Sequence, residues 1–264
     1  LVVFGPWIGA FGHEMSFWAP KLRKLRKERF AKATAVAVGY LGHEIFYRDF
    51  CDDYLSLEDA GEPSLGDVRS LAEALVLRWQ QGRACKSVLW ITPQDLPQWT
   101  QEGSLMRQDV SQQNPYGEFV HLDATLNIYK RLRAQLRIFK NSQPCIAVVP
   151  RVKYSRGQLD AYSWRPALWE RFLERIITEL YLNVVLVGMP RRGAAAGLLE
   201  AQDLGRLKKY SDQVLWISFQ GAGAVEAQIA LLKSTHCSIY GASLAATLAV
   251  FANTPMFAHQ TSTE

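Results

Sequence analysis

Two doubly wound α/β domains, each built on a parallel sheet, are what this 264-residue sequence predicts. Three observations carry that expectation. Short apolar runs alternate with helix-length amphipathic segments through both halves, which is the pattern of strand–helix–strand units. Several of these runs stop at glycine: Leu1–Phe4 before Gly5, Ala33–Val38 before Gly39, Asn183–Val187 before Gly188, His236–Tyr240 before Gly241. A polar break at Asn141–Pro144 divides the chain into domains 1–142 and 143–264, both of ordinary domain size.

The first strand, Leu1–Phe4, runs into Gly5, Pro6, Gly9 and Gly12, and a helix is expected from His13 through Met15, Phe17 and Trp18. Strand, glycine loop and helix together set free backbone N–H groups at the carboxyl end of a sheet, where an anionic or sugar ligand binds. His13 and Glu14 stand where loop becomes helix and are the best-placed acid/base pair. The competing reading is a glycine turn with a surface histidine and a glutamate that suits the helix dipole.

Residues 19–32 continue that helix, with Leu22, Leu25 and Arg29 on one stripe. Ala33–Val38 is a second strand, followed by Gly39-Tyr40-Leu41-Gly42-His43-Glu44, an echo of Gly9-Ala10-Phe11-Gly12-His13-Glu14. His43, Glu44, Tyr47, Arg48 and Asp49 are therefore expected near the same sheet edge as His13. Residues 51–66 read as a loop. Asp67–Gln81 reads as a helix with Asp67 at its cap and Leu71, Leu75 and Trp79 stacked. Ser87–Ile91 is a third strand, residues 92–118 a long polar loop, Phe119–Leu122 a short strand, and residues 125–140 a basic helix.

In the second half, Cys145–Val149 is a strand followed by a loop carrying Arg151, Lys153 and Arg156. Pro166 opens a helix in which Leu168, Phe172, Ile176 and Leu180 recur every four residues. Further strands are expected at Asn183–Val187, Gln213–Ser218, His236–Tyr240 and Pro255–Ala258, with helices at Ala224–Lys233 and Leu244–Ala252. Gly241-Ala242-Ser243 links a strand to a helix start, a second place where N–H groups converge on an anion. Arg151, Lys153 and Arg156 leave the tip of another strand, and guanidinium and ammonium groups suit a diphosphate.

Composition narrows the function. No apolar run approaches the ~20 residues of a membrane span, and no signal peptide is read at the start, so a cytoplasmic location is expected. Cys51, Cys85, Cys145 and Cys237 lie far apart, and the five histidines are scattered, so no metal site is expected. The sequence lacks both the P-loop and the Gly-x-Gly-x-x-Gly fingerprint, which disfavours a P-loop kinase and a standard dinucleotide dehydrogenase. Net charge is +5, yet residues 21–32 alone carry +6 and Lys130, Arg131, Arg133, Arg137 and Lys140 another +5. Such segments suggest an anionic partner, against the commoner reading of solvated helix faces.

The second half resembles the donor domain of GT-B glycosyltransferases, most of all the heptosyltransferase family. The likeness lies in Val148-Val149-Pro150-Arg151, in Trp164-Arg165-Pro166, in Val184–Gly188, and in Tyr240–Ala249 with Thr254-Pro255. The stretch Phe4–Met15 is similar to the opening glycine loop of phage and bacterial glycosyltransferases. The resemblance implies two Rossmann-like domains facing across a cleft. The first would bind the acceptor through Gly9, Gly12, His43, Glu44 and Arg48. The second would hold a nucleotide-sugar diphosphate through Arg151, Lys153, Arg156, Gly241, Ala242 and Ser243.

Related loops often carry Glu where Ala10 stands, so the base here is expected to be His13 or Glu14. Trp216, Ser218, Phe219 and Glu226 are candidates for the nucleobase and ribose. The expected activity is metal-independent sugar transfer from a nucleotide-diphosphate donor, with a UDP-sugar favoured and no cofactor besides. The acceptor would be an anionic glycan, lipopolysaccharide or a hydroxymethylated DNA base. A non-catalytic nucleic-acid-binding protein and a polysaccharide pyruvyl transferase are the alternatives.

Overall fold

A computed structural model describes residues 1–9, 11–60, 67–83, 85, 87–95, 117–152, 154–155, 158–159, 163–188, 201–219, 221–241 and 246–258. The chain forms two compact units, Leu1–Val120 with Gly221–Gly223, and His121–Gln220 with Ala224–Glu264. The division therefore falls at Val120/His121 and not at the 142/143 boundary expected from the Asn141–Pro144 break. The reason is packing. Leu122 N donates to Phe251 O, Thr125 N donates to Glu226 Oε1, and Lys233 Nζ lies 3.2 Å from Asp123. These contacts tie the basic helix to the second unit.

In the first unit, β1 (Val2–Phe4), β2 (Ala35–Gly39), β3 (Asp53–Ser56) and β4 (Leu89–Ile91) form one parallel sheet in the order β3-β2-β1-β4. β3 lies in what the sequence presented as loop: only Leu55 is strongly apolar there, and the strand exists because β2 offers it an edge. Helical chain covers Phe11–Arg29, as α1 (Phe11–His13), a π-helical turn (Glu14–Trp18) and α2 (Ala19–Arg29). α3 (Val68–Gln80) packs Val68, Ala72, Leu75 and Val76 against Val3, Val38 and Leu57. On the other face, the Phe4 ring meets Phe30 and Phe50. Phe119–Leu122, expected as a strand, has no regular structure, and residues 96–116 of the polar loop lie outside the described residues.

The second unit opens with α4 (Leu126–Leu136). Its five-stranded parallel sheet runs β11-β10-β5-β8-β9, from β5 (Cys145–Val149), β8 (Asn183–Gly188), β9 (Val214–Ser218), β10 (Cys237–Tyr240) and β11 (Met256–Ala258). A small hairpin, β6 (Tyr154–Ser155) with β7 (Gln158–Leu159), follows β5. α5 (Pro166–Glu179), α6 (Ala224–Ser234) and α7 (Thr247–Phe251) complete the unit. The strand interiors Ile146–Val149 and Val184–Val187 are buried throughout, as expected of a sheet covered on both faces.

α5 buries a different stripe from the one its i, i+4 pattern suggested. Trp169, Leu173, Ile176 and Ile177 lie in the core, whereas Leu168 and Leu180 are exposed. Each four-residue step overshoots a full turn by about 40° at 3.6 residues per turn, so a strict every-fourth series winds off the buried face. α3 shows the same drift: Leu71 is only half-buried, and Trp79 points its indole N–H at Asp53 Oδ2, 2.7 Å away.

Candidate functional site

Each parallel sheet has a topological switch point, where the chain returns to the other side of its first strand. Ligands of open α/β sheets collect at the carboxyl end of that point. In the first unit the chain runs β1, β2, β3 outward and comes back to β4 beside β1. The glycine loop leaves from there. Gly5 has φ +108°, and a Cβ on it would lie 2.4 Å from Val38 O, so only glycine lets the chain turn off β1 so tightly. Trp7 folds back beneath Gly9 and stacks on Trp18, with ring centroids 5.6 Å apart. Gly9 is exposed and Gly12 is buried in the first helical turn.

Glu14 opens the π-helical turn and its side chain is fully buried. Burying a carboxylate is costly unless its oxygens are bonded, and both are. Oε2 lies 2.6 Å from His43 Nδ1, and Oε1 accepts from the Tyr47 hydroxyl at 2.6 Å. The two Gly-x-x-Gly-His-Glu segments therefore interlock crosswise, the histidine of the second meeting the glutamate of the first. His13 does not join them: it is half-buried, with its ring 5.5 Å from Phe17. Glu44 turns its carboxylate to Gly223 N at 2.8 Å, and Arg48 is exposed.

Burial, and then the charge of Glu14, push the Tyr47 hydroxyl well above the usual phenol range. It stays a proton donor to the carboxylate. The His43 ring is bordered by Phe11, Phe46 and Tyr40 at 5.3, 5.8 and 5.9 Å.

In the second unit the chain runs β5, β8, β9 and then returns to β10 on the other side of β5, so the switch point lies between β5 and β10. Arg151 follows the tip of β5 and Gly241 the tip of β10. Gly241 N donates to Val149 O at 3.0 Å. Adjacency of these two tips was expected from the order of the segments, and the sheet provides it. Lys153, Arg156, Ala242 and Ser243 lie outside the described residues.

Trp216 is half-buried and packs on the hydrophobic core against α5. Ser218 is exposed at the end of β9 and Phe219 is buried behind it. β9 stands two strands from β5, about 10 Å away at ordinary strand spacing. Glu226 is buried in the first turn of α6, where Oε1 accepts from Thr125 N at 2.6 Å.

The two basic segments differ. In α2, Arg23 is buried and grips Asp49 with two nitrogens, at 2.6 and 2.9 Å, while donating to Glu118 O and Phe46 O. Arg26 lies 3.6 Å from Asp52, Lys27 3.4 Å from Glu118 and Lys24 3.8 Å from Glu28. Arg23, Arg26 and Lys27 are thus answered by acids from elsewhere in the chain, and Lys24 by Glu28 of the same segment. Lys130, Arg131, Arg133, Arg137 and Lys140 are all exposed, without an acidic partner among the described residues. They belong to the second unit and not to the N-terminal half where they were expected. Among the described residues, no three potential ligands gather to hold a metal ion, and no helix is long and apolar enough to cross a membrane.

Neither a family model nor a curated protein matches this sequence. Solved structures do. The E. coli ADP-heptose lipopolysaccharide heptosyltransferase II superposes with a TM-score of 0.57 at 14% identity, over 97% of this chain and 83% of that one. A glycosyl transferase of family 9 from Veillonella parvula gives 0.60 at 12% identity, over 97% and 80%. The E. coli heptosyltransferase WaaC with ADP-2-deoxy-2-fluoro heptose gives 0.50 at 11% identity, over 100% and 90%. At these identities the likeness is one of fold: the chain has two parallel-sheet α/β units arranged along the sequence as in glycosyltransferases.

Proposed function

We propose that this chain is a glycosyltransferase that moves a sugar from a nucleotide-diphosphate donor to a hydroxyl of an anionic acceptor, with protein groups rather than a metal ion facing the leaving diphosphate. The observation that carries the reading is the pairing of Arg151 with Gly241 at the switch point of the five-stranded sheet. A guanidinium and a glycine-opened strand end at that location suit a diphosphate. Negative charge grows on that group as the glycosidic bond breaks, so fixed positive groups there favour the transition state over the ground state. Lys153, Arg156, Ala242 and Ser243 are assigned to the same diphosphate. Ser218 and Phe219 are assigned to the nucleobase side.

ADP- and UDP-sugars are the donors to test first. The fold neighbours include one enzyme named for ADP-heptose and one with ADP-2-deoxy-2-fluoro heptose, and a UDP-sugar is the expectation from the sequence. The acceptor is proposed to be anionic because Lys130, Arg131 and Arg133 of α4, with Arg137 and Lys140 just beyond its end, are exposed. Lipopolysaccharide, a phosphorylated glycan and hydroxymethylated DNA remain the acceptors to compare. A purely nucleic-acid-binding role draws less support, since the buried Arg23 and the ion-paired Arg26 do structural work.

The test is a thermal-shift screen with ADP, UDP and GDP, followed by hydrolysis of each corresponding nucleotide sugar. A binder present at 100 times its dissociation constant stabilises by about 2.7 kcal/mol. No shift and no hydrolysis with any of them would refute the reading.

A further inference from the structure

We propose that His43 is the general base that accepts the proton of the attacking hydroxyl, and that Glu14 and Tyr47 are positioning residues acting through it. The inference rests on the transferase reading and assigns its proton transfer to a group the glycine loop itself does not contain.

Glu14 cannot meet an acceptor directly. Its side chain is 0% exposed and both oxygens are engaged. A carboxylate enclosed in this way has one imidazole to act upon. With Nδ1–H donated to Oε2, the ring is held in the tautomer whose Nε2 lone pair is unprotonated, which is the form a base requires. The His43 side chain keeps 12% of its surface accessible while its ring is bordered by Phe11, Tyr40 and Phe46, and that open part is assigned to Nε2.

Location agrees with this. His43 follows the carboxyl end of β2, the strand beside β1, and the glycine loop leaves from the same edge. The Tyr47 hydroxyl, which burial keeps protonated, holds the second oxygen and stops the carboxylate from rotating away. Among the described residues, the titratable and charged groups around the ring are Glu14, Tyr40, Tyr47 and the chain neighbour Glu44, whose carboxylate is taken by Gly223 N. Beyond them, Tyr54 donates its hydroxyl to Tyr40 O. His13 lacks such an arrangement: among the described residues no carboxylate contacts it.

In the step proposed, the acceptor oxygen bonds to the anomeric carbon while the bond from that carbon to the diphosphate oxygen breaks. The bonding pair leaves on the diphosphate, and the hydroxyl proton passes to His43 Nε2. Glu14 remains anionic and faces the imidazolium so formed.

The experiment uses the full chain and hydrolysis of whichever ADP-, UDP- or GDP-sugar it turns over, with water as acceptor. His43→Gln should lower kcat by about 10²-fold or more, leave the donor KM unchanged and abolish the acid limb of the kcat–pH profile. Glu14→Gln should keep a displaced acid limb with a smaller loss. A His43→Gln enzyme with the wild-type kcat and acid limb would overturn the inference and leave the transferase reading intact. A chain that turns over no nucleotide sugar overturns both. Should the variants fold poorly, nitrogen-15 NMR of histidine-labelled wild-type protein decides at neutral pH. A His43 ring protonated at Nδ1 and bare at Nε2 supports the inference, and the opposite tautomer overturns it.

Discussion

Arg151 fills the space that any side chain at Gly241 would need: a Cβ there would stand 2.5 Å from the Arg151 Cβ and 2.7 Å from its backbone nitrogen. The obstacle is mostly backbone, so it cannot swing aside. Gly241→Ala should therefore force apart the tips of β5 and β10, at about 1–3 kcal/mol for an overpacked site. The nucleotide-dependent thermal shift should fall with it. Urea denaturation and the same nucleotide titration check both, and an unchanged midpoint with an unchanged shift contradicts the assignment.

Arg151→Ala keeps the Cβ that abuts Gly241 and removes only the guanidinium. Removing one charge-stabilising group from a leaving-group site lowers turnover by about 10²-fold. Hydrolysis of the preferred nucleotide sugar measures this. Wild-type turnover in the variant would remove Arg151 from the diphosphate.

Arg23 should behave as a core residue although it sits in a run of surface cations. Its side chain is 6% exposed and bonded to Asp49, Glu118 and Phe46. Arg23→Ala leaves those acceptors unanswered and should cost about 1–3 kcal/mol, the range for stranding a buried hydrogen-bonding group. Arg29→Ala, six residues on and exposed, should fall within about 0.5 kcal/mol of wild type. Equal effects in chemical denaturation would contradict the distinction.

Alkaline pH should destabilise the protein. Burial raises the Tyr47 hydroxyl well above its usual 10.0, the Cys145 thiol from 9.0 to about 12, and the Cys51 thiol further still. An acid whose proton is held more tightly in the folded state contributes stability that is whole below its unfolded pKa. That contribution drains away as pH rises through the folded value. Stability should thus be steady to about pH 9 and decline above it, as a pH series of denaturation midpoints would record. A rise in stability between pH 9 and 11 would be the contrary result.

On α5, Trp169→Ala should cost about 3–5 kcal/mol, the range for truncating a buried aromatic. Leu168→Ala should cost less than about 0.5 kcal/mol, as expected of an exposed site. The every-fourth pattern in the sequence assigns the burial to Leu168, whereas in the fold Trp169 is 1% exposed and Leu168 47%. Thermal denaturation of the two variants separates the cases.

In that pair the local sequence pattern and the buried face part company. Local periodicity announced a helix from Pro166, and the helix is there, but the buried face depends on which side the sheet approaches. β3 shows the converse, since its residues carry almost no strand signal and pair only because β2 has a free edge. Arg23 was legible as one of seven cations in residues 21–32. Nothing nearby announced Asp49 and Glu118, which come from 26 and 95 residues away. The expected boundary at 142/143 followed a local break, while the actual one follows long-range contacts of Leu122, Asp123 and Thr125.

By itself the sequence determined the alternation of strands and helices, the glycines at strand ends, and the order in which Gly5, Arg151 and Gly241 reach the carboxyl edges of their sheets. Those features are local: apolar period, turn chemistry and chain direction settle them within a dozen residues. The tertiary structure alone decided that Glu14 is sealed beneath His43 and Tyr47, and that His13 stands apart. Two identical Gly-x-x-Gly-His-Glu spacings can pair within themselves or across. Only the placing of β2 beside β1, which brings Glu14 and His43, 29 residues apart, against each other, chooses the crossed arrangement.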